Sequence, residues 1–363
     1  MIRIDFEEMQ KYLSSLFKDE VKINYIGELC KEKMRKEKKL KAFGYGIPYL
    51  IEIEVKGKKK SLVLETLKKE GFGHEHFSDR AQILIWQNSA FKKLQRHVRS
   101  YDVGAFTKDH KLKSLGDCIE YFILMKKVEG NLYHFDLDRI KATNSIDELD
   151  IKRCLTLSDY LVKIHAKKSK EYSLYIRRIR ELLGHGECIM GLIDSYPSGL
   201  PYVDEEFFKK IEKMCIEWRY VLKKKVHRLS QVHGDFHPWN VLFRKGLDFT
   251  VLDRSRGEWG EPADDLSSMS INYIFYSLQA HGKLGGHFEK LFMSFLNNYL
   301  DKTKDHEVLE VIQPFFAWRG LVIASPIWYP NLPEDLRVKI FNFINNVLSV
   351  ERFDLKEVNS YLS

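Results

Sequence analysis

The stretch QVHGDFHPWNVLF, residues 231–243, sets His233, Asp235, His237 and Asn240 in one short loop between two apolar, strand-like runs. A second such run, DFTVLDRSR at 248–256, brings Asp253 close behind. These residue types in this order suit phosphoryl transfer. An Asp beside an acceptor hydroxyl orients it and accepts its proton, while an Asn and another Asp supply hard oxygen donors for Mg²⁺ bridging nucleotide phosphates. Asp235 is the candidate base, and Asn240 and Asp253 are the candidate metal ligands. Singly, each residue says little, because an Asp that caps a turn or an Asn bonded to backbone has the same letter. The ordered set is what carries the reading.

Those side chains need elements to bring them together. NVLF and DFTVLDRSR are expected to pair as a hairpin whose ends present Asp235, Asn240 and Asp253. Upstream, FGYGIPYLIEIEVKGKKKSLVLETL (43–67) reads as two strands joined by a Lys-Gly turn, and SDRAQILIWQNSAFKKL (78–94) as a helix capped by Ser78. EYFILMKKVEG (120–130) reads as a strand ending at a glycine where one lobe gives way to the next. Beyond it the pattern turns helical, in DIKRCLTLSDYLVKIHAKK (150–168), DEEFFKKIEKMCIEWRYVLKKKV (204–226) and several amphipathic runs from 264 onward. The expected class is α+β: a small β-rich lobe over 1–127 and a larger, mainly helical lobe over 128–363.

Composition narrows the alternatives. The five cysteines are scattered with no C-x-x-C, which favours reduced thiols over a disulfide framework or zinc site. The most apolar late stretch, FFAWRGLVIASPIWYP (315–330), is broken by Arg319 and two prolines and is too short to span a bilayer. The N-terminus, MIRIDFEEMQKYL, has no signal-peptide pattern, so a cytoplasmic location is expected. The net charge of +8 leaves nucleic acid conceivable, but the densest basic run, KEKMRKEKKLK (31–41), contains glutamates and no aromatic for base stacking. No nucleic-acid or membrane partner is expected, and the oligomeric state is left open.

The order His233-Gly234-Asp235, Asn240, Asp253 follows the H-R-D-x-x-x-x-N loop and metal-binding Asp of kinases. HGDFHPWN followed by VLDRSRGEWGEPADDL resembles the aminoglycoside phosphotransferase-like superfamily, which includes choline, homoserine and methylthioribose kinases and has a bilobal protein-kinase-like fold. The resemblance implies ATP, with GTP possible, Mg²⁺, and a small-molecule alcohol as acceptor: an amino alcohol, a sugar or an aminoglycoside-like compound. It also implies Asp235 as catalytic base, Asn240 and Asp253 on the metal, and His233 and His237 as supports of the loop. Asp265 of GEPADDL would then cap the following helix and brace the catalytic loop. Two residues depart from the family pattern: Arg254 replaces an aromatic, and Trp239, which would wall the acceptor pocket, replaces a small residue.

The small lobe departs further. In SLVLETL (61–67), Glu65 stands where the phosphate-binding lysine belongs. Lys68 is the nearest substitute, and a Glu65–Arg80 pair is the other arrangement. Gly44 and Gly46 of FGYG are candidates for the turn over the phosphates, with EGFGHEHF (70–77) as rival, and Lys126, Lys127 and Val128 for the backbone contacts to adenine. For the acceptor, Trp239, Glu258, Arg319 and Trp328 are candidates; Glu258, Glu261 and Asp264 would suit an amine. The alternative to an active enzyme is a catalytically inactive, kinase-like nucleotide-binding or interaction module. The missing lysine favours it and the intact Asp235, Asn240 and Asp253 oppose it.

Overall fold

The computed structural model describes residues 4–29, 45–69, 71 and 73–363. Gly44, the basic run 31–41 and Glu70 and Phe72 of the second glycine loop therefore lie outside the described residues. The chain divides into two compact units, residues 1–125 and 126–363.

In the first unit, helix α1 (Phe6–Phe17) is capped by Asp5, whose carboxylate accepts from the Glu8 amide at 3.0 Å. Strands β1 (Val21–Glu28), β2 (Gly46–Val55) and β3 (Lys58–Leu67) form an antiparallel sheet in sequence order. The β2–β3 turn is the expected Lys56-Gly57 pair, both at positive φ (51° and 69°), a two-residue geometry that matches the twist of paired strands. Met9 and Leu13 of α1 cover Val21, Ile23, Ile51, Ile53 and Val55, which alternate along β1 and β2 and so point to one face. Helix α2 (Phe77–Phe91) begins after His76, whose amide is held by Asp79 at 2.7 Å; Ser78 is inside the helix and is not its cap. A short ribbon of β4 (Gly104–Phe106) and β5 (Leu112–Ser114) completes the unit.

The expected strand over 120–130 does not form. No element is assigned there, and Phe122, Ile123 and Leu124 are exposed. An apolar run becomes a strand only where a neighbour takes its backbone hydrogen bonds, and none of the described strands pairs with it.

The second unit opens with β6 (Asn131–Leu132) and continues through α3 (His134–Thr143), α4 (Glu148–His165), α5 (Tyr172–Gly184), α6 (Ile189–Asp194) and α7 (Glu205–Leu222). Then come β7 (Ser230–Gln231), β8 (Val241–Phe243), β9 (Phe249–Val251) and β10 (Trp259–Gly260). It closes with α8 (Pro262–His281), α9 (Gly286–Thr303), α10 (Gln313–Ala324), α11 (Glu334–Leu348) and α12 (Val358–Tyr361). Helix α8 is buried on every side from Pro262 to Leu278, with α3, α4, α9 and α10 packed around it. Two of its interior hydroxyls bond within the helix, Ser267 to the Asp264 carbonyl and Ser270 to that of Leu266, while Ser277 donates to the carbonyls of Lys283 and Gly285 beyond its end. The class is α+β, a small antiparallel-sheet unit and a larger helical one. No helix among the described residues is long and apolar enough to cross a membrane.

Candidate active site

The loop that holds Asp235 is fixed at both ends. β7 pairs with β10, Gln231 opposite Trp259, and the Val232 amide donates to the Glu258 carbonyl at 3.0 Å. Gly234 then bends the chain at φ 86°, a conformation glycine adopts without steric cost, and a Cβ there would press on Arg178 and Arg256 at 3.3 Å. Pro238 starts a single tight turn, with His237 Nδ1 accepting from the Trp239 amide at 3.2 Å. β8 and β9 pair as the expected hairpin, and the Leu252 amide extends the ladder to the Asn240 carbonyl at 2.8 Å. Asp253 follows at φ 52°, strained for a non-glycine residue, with its Oδ1 accepting from the Ser255 amide at 3.2 Å.

The first turn of α8 anchors this loop through three acids, each with different partners. Asp265, fully buried, accepts from the amides of His233 (2.8 Å) and Gly234 (2.7 Å) and pairs with His165 at 3.0 Å, whose other nitrogen meets Tyr299. Burial opposes its ionisation, but the hydrogen bond and charge of His165, the charge of His233 and the backbone donor hold it below the usual carboxylate range. Asp264 joins Arg178 (2.9 Å) and Arg319 (2.8 Å). Glu261 takes the guanidinium of Arg228 and the hydroxyl of Tyr175, and it also caps α8 through the Ala263 amide. The helix cap is therefore Glu261, not Asp265; Asp265 is one turn in and reaches the loop instead.

Asp235 is nine-tenths buried, and its two oxygens have different neighbours. Oδ1 accepts from Arg319 Nη1 at 2.6 Å, with Arg256 Nε 3.9 Å away. Oδ2 faces His237 Nε2 and Asn240 Nδ2, each at 3.5 Å. His237 Nε2 also lies 3.2 Å from Asn240 Nδ2, so the imidazole, the amide and the carboxylate oxygen form one cluster. Burial pushes the Asp235 carboxyl up, but the His237 hydrogen bond and the charges of Arg319, His237 and Arg256 outweigh it and hold the group well below the usual range.

The donor set suits a hard divalent cation. The Asn240 amide nitrogen donates to the Asp235 carbonyl at 3.0 Å, which leaves its oxygen without a hydrogen bond among the described residues. Asp253 is exposed and keeps one oxygen clear of the Ser255 bond. No group of three or more His, Cys, Asp or Glu able to cage a metal occurs among the described residues. One or two protein oxygens completed by phosphate and water is what Mg²⁺ takes.

Several expected acceptor contacts have other partners. Arg319 is 6 % exposed and turned inward on Asp235, Asp264 and the Gly234 carbonyl, so it has no free face for a carboxylate or phosphate. Glu261 and Asp264 are committed to arginines and cannot receive an amine. Trp239 stacks on His134 at 5.1 Å, which gives one face of the indole to packing against α3. Glu258 is exposed and contributes its carbonyl to Val232 and Arg254. Trp328 is exposed on the turn after α10. Arg254, which replaces an aromatic, ties the loop by donating to the Val232 carbonyl at 2.8 and 3.0 Å.

In the first unit, Gly46 is the first residue of β2, opposite Leu67, and lies in a strand rather than a turn; a Cβ there would overlap the Glu65 carboxylate. The Lys68 amide closes the strand pair on the Tyr45 carbonyl at 2.9 Å. Arg80 donates to the carbonyls of His74 and His76, not to Glu65. Lys126 and Lys127 are exposed, Lys127 paired with Glu129 at 2.8 Å, and Val128 is half-buried. Sequence reasoning missed Arg178, His165 and Arg256. Arg178 shares the helical face of the apolar residues Leu174, Tyr175 and Leu182 in YSLYIRRIRELL, and that placement among three neighbouring charges is the signal that would have flagged the first.

Residues 195–289, which contain the loop, the hairpin and the acidic turn of α8, match the phosphotransferase enzyme family. The resemblance read from HGDFHPWN and GEPADDL is thus shown. No curated protein matched the chain. Among solved structures, an ethanolamine kinase of Plasmodium vivax is 12% identical, with 94% of this chain and 82% of that one covered and a TM-score of 0.36. An amicoumacin kinase in complex with AMP-PNP and Ca²⁺ is 15% identical over 98% and 97%, with a TM-score of 0.40. A glucosamine kinase is 11% identical over 92% and 93%, with a TM-score of 0.39. At these scores none of the three bears on what the chain does.

Proposed function

We propose that this protein is an ATP-dependent phosphotransferase that moves the γ-phosphoryl group to a hydroxyl of a small molecule. The observation that supports it most directly is the joining of Asn240 to Asp235, its amide nitrogen donating to the Asp235 carbonyl and lying 3.5 Å from Oδ2, with Asp253 next on the hairpin ladder. Asn240 Oδ1 and the clear oxygen of Asp253 would hold Mg²⁺, which when bound neutralises the charge on the nucleotide phosphates. With Oδ1 of Asp235 taken by Arg319, Oδ2 is the oxygen left to receive the acceptor O–H, orient it and take its proton. The carboxylate stays ionised at neutral pH, as that task requires. His237 steadies Oδ2 from the side, and Asp265 fixes the backbone beneath.

Calorimetric titration of ATP, then GTP, with and without Mg²⁺ tests the nucleotide half, with Asp253→Ala as control. Mg²⁺-dependent binding lost in the variant is the expected result; a panel of alcohols assayed by nucleotide consumption then tests transfer. Glu65, exposed on β3 in place of a lysine, favours the other reading, an inactive kinase-like module. Binding of neither nucleotide under any condition would establish that reading instead.

A further inference from the structure

Helix α10 reads QPFFAWRGLVIA, and all but one of its residues are buried; Arg319 is its only charge. A buried guanidinium in an apolar helix is destabilising unless its donors are well matched, and apolar replacements for such groups are often as stable or more so. Here the match is incomplete: Arg319 Nε is buried with no hydrogen-bond partner. Its other two nitrogens make three bonds, to Asp235 Oδ1 (2.6 Å), the Gly234 carbonyl (3.1 Å) and Asp264 Oδ1 (2.8 Å). Its plane also lies against the Trp318 ring, 3.7 Å from the centroid. We propose that Arg319 is a positioning residue: it holds one oxygen of Asp235 and the preceding carbonyl so that the other oxygen alone is presented to the acceptor hydroxyl. This rests on the phosphotransferase reading above.

The geometry fits that role better than charge neutralisation. Asp264 already has Arg178 at 2.9 Å, and Asp235 already has Arg256 and His237 nearby, so neither acid depends on Arg319 alone for a counter-charge. What Arg319 alone does is bond the carboxylate and the Gly234 carbonyl together, which fixes the rotation of the side chain against its own backbone. A planar fork can do this; the single ammonium of lysine cannot reach all three acceptors.

The test is steady-state turnover of Mg²⁺-ATP with the best alcohol of the panel, or with water where none exceeds it. Arg319→Gln should lower kcat about 100-fold, the scale of a reacting group misplaced by an ångström, with KM for ATP within about twofold. Arg319→Lys should recover part of that loss. In the Asp235→Asn background the same Arg319→Gln change should cost nothing further, because residues acting as one unit are non-additive. Should Arg319→Gln fail to fold, Arg319→Lys alone and in the Asp235→Asn background carries the test. A kcat within threefold of wild type in the folded single variant, or full additivity in the double variant, overturns the assignment. Wild-type protein that binds Mg²⁺-ATP but turns over nothing sinks the phosphotransferase reading itself, and this inference with it.

Discussion

At the residue scale, the site separates the side chains proposed to face the reaction from the side chains that hold them in place. Asp235→Asn would remove the proposed proton acceptor while keeping its shape, so turnover should fall about 1,000-fold with Mg²⁺-ATP affinity unchanged, and thermal stability should drop because the buried Arg319 loses its charged partner; retained activity in the folded variant would exclude Asp235 as base. Asp265→Ala should act differently. It would strand the His233 and Gly234 amides and His165 in a buried site, a loss of about 3 kcal/mol by denaturant unfolding. The first group was legible in the sequence because its spacing is local. The second was only partly so: Arg319 and Asp235 are 84 positions apart, and nothing in AWRGLVIASP says which acid the arginine meets. Reading Arg319, Glu261 and Asp264 as ligand contacts followed from charge alone, whereas burial and pairing decide their use.

At the element scale, the β2–β3 and β8–β9 hairpins and the long helices were readable because period and turn chemistry are properties of neighbouring residues. The strand expected at 120–130 was not, since a strand exists only with a partner. The segment around α7 and α9 offers a quantitative check. Glu307, after α9, meets Lys225 (2.7 Å), His227 (2.8 Å) and Arg228 (3.2 Å). Burial works against it, but those hydrogen bonds and the Arg228 charge hold its pKa at about 2. A folded value below the unfolded one of about 4.3 means its stabilisation is complete above that pH and disappears as pH falls toward 2. Glu307→Gln should therefore be less stable than wild type by about 1 kcal/mol at pH 7. That gap should close on acidification; a gap independent of pH would contradict the pairing.

At the scale of the whole molecule, the residues nominated for chemistry, Asp235, Asn240 and Asp253, and those bracing them all belong to the unit 126–363, and the family match falls inside it. Residues 118–129 carry no regular element and expose the apolar side chains from Ile119 to Met125, so limited proteolysis should cut there first and leave a persistent C-terminal fragment. First cuts within α4, α8 or α10 would be incompatible with the core described. Asp265 also sets a timescale. Loop amides ordinarily trade their hydrogens with solvent through small local openings, but those of His233 and Gly234 are buried and bonded to a carboxylate on the central helix. In deuterated water these two loop amides should keep their protons as long as the interior of α8 does, so the bend carrying Asp235 would be released only when the whole helical unit unfolds.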